Sequence, residues 1–439
     1  MENYGIVTLK NGVRVIYYKD SAVHTAYAKL ILNYGGINKR FKIDDKEYII
    51  KDGTAHYLEH LVIEHSKAGN LFKRFCSDSL YFNGVTNHSK TCFYIDCVYH
   101  FEQHLKDLIY YINTPSFNAK DIDDTKHAVI EELRNDEGKP YKRNWKEFFK
   151  NYVNGDGFES VIGTEELINS FDYDYIRNVY DAFYIPSNQT ILVGGNFNLE
   201  KILKLIEDVY DSLDRVYPKA TLLTKKETNE IRNRDITLYS NKEDDKVSIV
   251  FKFNLDEFSP LEKLKLDYYR NYIIKENFSS TSNLSKFMID NKHSMYNINT
   301  FNMDVNDYYY LFINLFIKDK ELFKNKVLEV INNLSFDEES FEIWKKETII
   351  NIILKKESYK NSLLSYADNI LEFNIIYNED TEFVNELNLN ELKELLKKID
   401  LSNYGLISNF KEEKWYLKVS FFRYKNLIMN RYDDIYLKI

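Results

Sequence analysis

The segment Thr54-Ala55-His56-Tyr57-Leu58-Glu59-His60-Leu61-Val62 carries two histidines four residues apart, with a glutamate next to the second. On a helix turning about 100° per residue, His60 lies about 40° around from His56 and Glu59 about 60° to the other side, so all three share one face. Two neutral imidazoles one turn apart can clamp a zinc ion, and a carboxylate beside them can take a proton from a metal-bound water. His56 and His60 are therefore the candidate ligands and Glu59 the candidate general base. A tetrahedral catalytic zinc also needs a third protein ligand and an open position for water. The segment 121–136 offers that ligand. Its apolar residues Ile122, Val129 and Leu133 form one stripe, because steps of seven and four return to nearly the same face. Glu132 falls about 60° from Val129 on the flank of the stripe, whereas Glu131 points about 160° away, toward solvent. Glu132 is the expected third ligand, and one Zn2+ per chain the expected cofactor.

Other constellations are weaker. His100 and His104 share the four-residue spacing, but Phe101, Leu105 and Leu108 around them read as the packing face of a helix. His127 and Glu131 read as a solvated helical pair. Cys92 and Cys97 lie five apart on an expected strand, hence on opposite faces, and cannot clamp one metal. No phosphate-binding loop, dinucleotide fingerprint or serine-nucleophile elbow occurs.

These residues need a scaffold. Alternating runs around Asn11-Gly12 predict a hairpin over 7–18, followed by a strand at 26–33. Helices are expected at 54–66, 100–113, 121–136, 142–153, 173–182 and 198–213, and strands at 80–87, 91–98 and 189–195. After a polar stretch the order repeats: strands at 236–240 and 247–255, a helix at 260–276, strands at 294–301 and 306–317, helices at 320–334, 337–356, 360–373 and 390–399, and a strand at 403–408. The expectation is an α+β fold of two similar halves, each a largely antiparallel sheet covered by helices. Residues 1–220 form the metal-binding half, 221–235 a polar linker and 236–439 a second half without ligands; the tail after Tyr416 has no assigned role.

Among 439 residues, Lys plus Arg number 59 and Asp plus Glu 68, a net charge of −9 that argues against a nucleic-acid partner. Three scattered cysteines do not read as a disulfide framework. No apolar run reaches the roughly 20 residues of a membrane span, and the N-terminus lacks a secretory core. A cytoplasmic protein is expected.

The H-x-x-E-H run, with Val129-Ile130-Glu131-Glu132-Leu133 some seventy residues later, resembles the pitrilysin/insulinase family of zinc metallopeptidases. Phe82-Asn83-Gly84-Val85-Thr86 with Thr91, Gly163-Thr164, Phe183-Tyr184-Ile185-Pro186-Ser187-Asn188 and Val193-Gly194-Gly195 resemble further blocks of that family, nearest its short bacterial members. The resemblance implies that His56, His60 and Glu132 bind zinc with Glu59 as base. It also implies that Asn83 and Gly84 hold an extended peptide against an edge strand, with Gly in place of the family's Ala expected to alter little. Tyr296 matches a family tyrosine that supports the transition state, but the arginine expected shortly before it is absent, as is a glutamate seven residues before Glu132, where Thr125 stands. The implied activity is a zinc endopeptidase of unstructured peptides, with trimming of a precursor peptide as the expected task. The alternative is a weakly catalytic or non-catalytic peptide-binding subunit. A homodimer, or a heterodimer with a related subunit, is implied by the resemblance alone.

Overall fold

The hairpin expected around Asn11-Gly12 forms: β1 (Tyr4–Thr8) runs antiparallel to β2 (Arg14–Lys19), with Thr8 opposite Arg14. Gly12 takes φ +91°, a left-handed conformation that glycine adopts without a Cβ penalty. A computed structural model describes residues 3–412 apart from 44, 138–139, 156–159, 214, 216, 218–219, 224, 241–244, 306–307 and 377–380, so the tail after Tyr416 lies outside the described residues. The remaining strands of the first half are β3 (Ala26–Leu32), β4 (Arg40–Ile43), β5 (Lys46–Ile49), β6 (Tyr81–Thr86), β7 (Thr91–Cys97), β8 (Gln189–Gly195) and β9 (Ala220–Leu223). The second half supplies β10 (Asp235–Ser240), β11 (Lys246–Asn254), β12 (Asn299–Val305), β13 (Tyr308–Leu315) and β14 (Tyr404–Lys411).

Two large sheets result, ordered β1-β2-β8-β3-β7-β6 and β10-β14-β11-β13-β12. Each has one parallel pair, β2 with β8 and β10 with β14, and is otherwise antiparallel. When β2, β3, β6, β7 and β8 are set against β10 to β14, chain order, sheet order and direction coincide. Seven described helices lie between β3 and β8, and seven between β11 and β14. The second half thus repeats the topology of the first, and the helix Thr54–Glu64 has Pro260–Phe278 as its equivalent. Edge strand β6 likewise corresponds to edge strand β12.

The fifth helix of each set crosses to the other half. From Pro140–Tyr152, Phe148, Phe149 and Tyr152 pack with Val250, Tyr310 and Ile407 of the second sheet. From Tyr359–Phe373, Leu363, Tyr366 and Ile370 pack with Ile16, Tyr27 and Leu192 of the first. Lys360 adds an ion pair to Asp96 at 2.7 Å. A sheet needs apolar cover on a buried face, and here each half supplies the other's.

Some elements depart from the pattern reading. β4, β5 and β9 form a third sheet of four-residue strands, too short for alternation to show, and β9 falls partly within the expected linker. That linker also buries Glu227, which accepts from the backbone N–H of Asn154 at 2.8 Å and pairs with Lys252 of β11 at 2.9 Å. The strand expected at 294–301 begins instead at Asn299. His293 and Ser294 fold their N–H groups back to the Met288 carbonyl, and Lys292 stands at φ +57°. No described helix is long and apolar enough to cross a membrane.

Candidate metal centre

The helix Thr54–Glu64 starts where two backbones touch. Gly53 takes φ +88° and Gly163 φ +82°. A Cβ on Gly53 would stand 2.5 Å from the Ile162 carbonyl oxygen, and one on Gly163 would stand 2.6 Å from that of Asp52, so only glycines fit. The Thr54 hydroxyl donates to the Lys51 carbonyl at 2.8 Å in the first turn. Tyr57, Leu58, Leu61 and Val62 are fully buried and fix which face turns outward. The Tyr57 hydroxyl donates to the Ile122 carbonyl, binding this helix to Ala119–Glu137. On that second helix Ile122, Val129 and Leu133 are buried, as the stripe predicts, and Glu131 is exposed.

The two helices bring His56, His60 and Glu132 together. The Nε2 atoms of His56 and His60 are 3.3 Å apart, and the Glu132 Oε2 atom lies 3.5 Å from the first and 3.3 Å from the second. Ligands at about 2.0–2.1 Å from a tetrahedral zinc are separated by about 3.3–3.4 Å. The donor set therefore fits zinc in both type and spacing, and it is the one such three-residue group among the described residues. Burial pulls the His60 imidazole down, but Glu132, Glu59 and Glu64 outweigh it and leave its pKa raised. Thr125, where the resemblance leads one to expect a glutamate, is buried, and its hydroxyl has no hydrogen-bond partner among the described residues.

Glu59 is 7 % exposed, and burial raises its carboxyl above the usual range, with the Thr86 hydroxyl and His60 acting in the opposite sense. Thr86 donates to Glu59 Oε2 at 2.6 Å. Thr86 and Gly84 alternate on β6 with the exposed Val85, so both face the helix. A Cβ on Gly84 would stand 2.5 Å from Glu59 Oε1 and 3.0 Å from Ile63 Cδ1. Alanine at this position therefore would not be neutral, contrary to the sequence expectation: it would press on the base itself. The Thr86 contact could not be read from the sequence, because it joins a helix to a strand 27 residues away.

Asn83 lies on the same edge strand, but its side chain belongs to the other face, where its amide donates to the Tyr94 hydroxyl at 3.2 Å. The Asn87 N–H donates to the Lys90 carbonyl, and alternation from that pair makes Asn83–Tyr94 a hydrogen-bonded pair, so the Asn83 backbone faces β7 and it is Gly84 that turns its backbone to the free edge. The described contacts of Tyr296 lie within the second half. Its ring packs on Phe316 with centroids 4.9 Å apart, and its N–H donates to the Ser294 hydroxyl at 3.0 Å.

His104 belongs to another chain of contacts. Its Nδ1 lies 3.7 Å from Cys97 Sγ and its Nε2 lies 3.0 Å from Asp78 Oδ2, the order of a nucleophile, base and orienting acid. Cys97 is only 2 % exposed, and burial pushes its thiol up to about 12, so it is neither ionised nor reachable. His100 does not join His104 as a metal clamp, since their ring centroids are 6.4 Å apart.

A family model described as "Peptidase M16 inactive domain" matches residues 170–346, a span that begins after the four residues His56, Glu59, His60 and Glu132. An uncharacterized zinc protease, YmfH of Bacillus subtilis, is 25 % identical over 206 residues, 46 % of this chain and 47 % of that one. The chloroplastic stromal processing peptidase of Pisum sativum is 24 % identical over 217 residues, 46 % of this chain and 16 % of that one. The chain spans about half the length, or less, of these curated relatives. Among solved structures, an M16-like peptidase from Alicyclobacillus acidocaldarius superposes with a TM-score of 0.81 at 16 % identity, covering 93 % of this chain and 98 % of that one. A protease from Helicobacter pylori gives 0.76 at 17 % identity, covering 93 % and 99 %.

Proposed function

The chain belongs to the pitrilysin (M16) family, and from that premise we propose that it is a zinc-dependent endopeptidase of unstructured peptides. The observation that carries the reading is the convergence of His56, His60 and Glu132 at tetrahedral spacing, with Glu59 adjacent on the same helix face. Zinc, when bound there, supplies an acidified water and polarises the scissile carbonyl. Glu59, aimed by Thr86, takes the proton of that water and delivers it to the leaving amine. The free edge of β6 adds the peptide as a further strand, a mode that reads backbone more than side chain. Tyr296 is assigned no step, given its contacts with Phe316 and Ser294.

A relative named as a processing peptidase favours precursor trimming as the task. The reading extends to a cytoplasmic location, in keeping with three free cysteines, and to pairing with a second copy or a related subunit. A second reading, a subunit that holds peptides without cutting them, draws on the "inactive domain" match and on the position of Tyr296. Glu59→Gln separates the two. The variant is expected to keep its zinc and to lose turnover of a quenched peptide library by on the order of 10²-fold or more. Equal turnover by both forms defeats the peptidase reading, and peptide binding without turnover by the unaltered protein establishes the second.

A further inference from the structure

The second half holds a cavity of about 590 Å³ between the helix Pro260–Phe278 and edge strand β12. Ile273 and Phe278 line it from the helix, Thr300 from β12, and Leu311 and Ile313 from β13. By chain order this is the counterpart of the space in the first half where β6 meets the helix of His56, Glu59 and His60. Where the first half has ligands and a base, the second has an apolar floor. The rim carries both signs: Lys90, Lys263 and Arg270 face Asp267, Asp304 and Glu372, and Arg270 pairs with Asp267 at 2.5 Å. An apolar floor under a rim of mixed sign suits an uncharged, bulky group.

The rim also reaches the first half. Residues 87–90, the turn that leaves β6, line the cavity, and His88 Nε2 lies 3.2 Å from the Asp304 carbonyl of β12. Gly84 touches Glu59, and the turn begins three residues later, about 10 Å along β6, where the chain reverses and the Asn87 N–H donates to the Lys90 carbonyl. A peptide paired with β6 keeps register with it, so it arrives at the cavity the same number of residues from the bond at Glu59.

We infer that this cavity is the pocket for a bulky apolar side chain of the peptide held on β6, about three or four residues from the scissile bond. The inference rests on the peptidase reading for its placement but is tested by binding, so the two can fail separately. Zinc-loaded Glu59→Gln protein is titrated with labelled ten-residue peptides that carry Phe or Ser at each position in turn, and binding is followed by anisotropy. One position is expected to favour Phe by about tenfold, the discrimination a filled apolar pocket provides. Thr300→Trp and Ile273→Trp fill the cavity from opposite walls, and each is expected to reduce that preference to less than twofold while Ser peptides bind as before. Thr300→Val keeps the shape and is expected to keep the preference. An unchanged Phe preference in the folded Trp variants, or no Phe preference at any position, overturns the inference. Binding that follows the expected pattern in a protein that never cleaves leaves the pocket standing and removes only the peptidase reading.

Discussion

At the scale of single residues, the centre is decided by where β6 passes the helix Thr54–Glu64. The ligands were legible because they depend on one helical period each: His56 and His60 share a turn, and Glu132 flanks a stripe that had to be buried. What the sequence hides is the setting of Glu59, since its partners Thr86 and Gly84 arrive from a strand whose register no local pattern states. Gly84→Ala is the sharpest probe. Its added methyl meets the far ends of two flexible side chains, Glu59 and Ile63, so the cost in stability is small, but the base must move. The expected outcome is kcat lowered by about tenfold or more, with zinc content and melting temperature nearly unchanged, since general-base catalysis is worth on the order of 10²–10⁴. An unaltered kcat would show that Glu59 tolerates displacement and has no exact place to keep.

At the scale of elements, long amphipathic helices and alternating strands declared themselves, whereas β4, β5 and β9 were too short to do so. Periodicity also gave the apolar faces of Pro140–Tyr152 and Tyr359–Phe373 without saying which sheet they cover, because a buried stripe carries no address. The last turn of Tyr359–Phe373 bears Glu372 on the rim of the cavity. Glu372 is solvent-exposed, yet desolvation raises its carboxyl to about 7, with Asp368 on its own helix, Asp304 on β12 and Asp267 on Pro260–Phe278 adding to the rise and Lys90 opposing it. A carboxyl whose folded pKa lies above its unfolded value disfavours the folded state when ionised, and that penalty disappears as pH falls from about 7 toward the ordinary value of 4.5. Glu372→Gln should therefore raise the melting temperature at pH 8, with the gain fading toward pH 4.5. A gain independent of pH, or one that grows in acid, would mean that the rim does not hold this charge under strain.

At the scale of the whole molecule, the two halves share a topology and exchange a helix, so each sheet has one face covered by its own helices and one covered by a helix of the other half. The buried pair Lys252–Glu227, which also draws in the Tyr152 carbonyl at 2.6 Å, ties the same seam. Unfolding in denaturant is expected as one cooperative transition, and residues 1–235 expressed alone should not give a stable fold, since Ile16, Tyr27 and Leu192 would face water. Two separated transitions, or a folded first half, would show that the exchanged helices are accessory. A duplicated architecture with ligands in one half only makes a further claim: a single metal should govern activity. The direct test is to strip the protein with a chelator and follow hydrolysis of a quenched unstructured peptide as zinc is returned. Activity is predicted to rise linearly and level off at one zinc per chain, and His60→Ala is predicted to remove both the binding and the rise. Hydrolysis that persists in the stripped protein, or zinc uptake that restores none, would contradict a zinc peptidase centred on His56, His60 and Glu132.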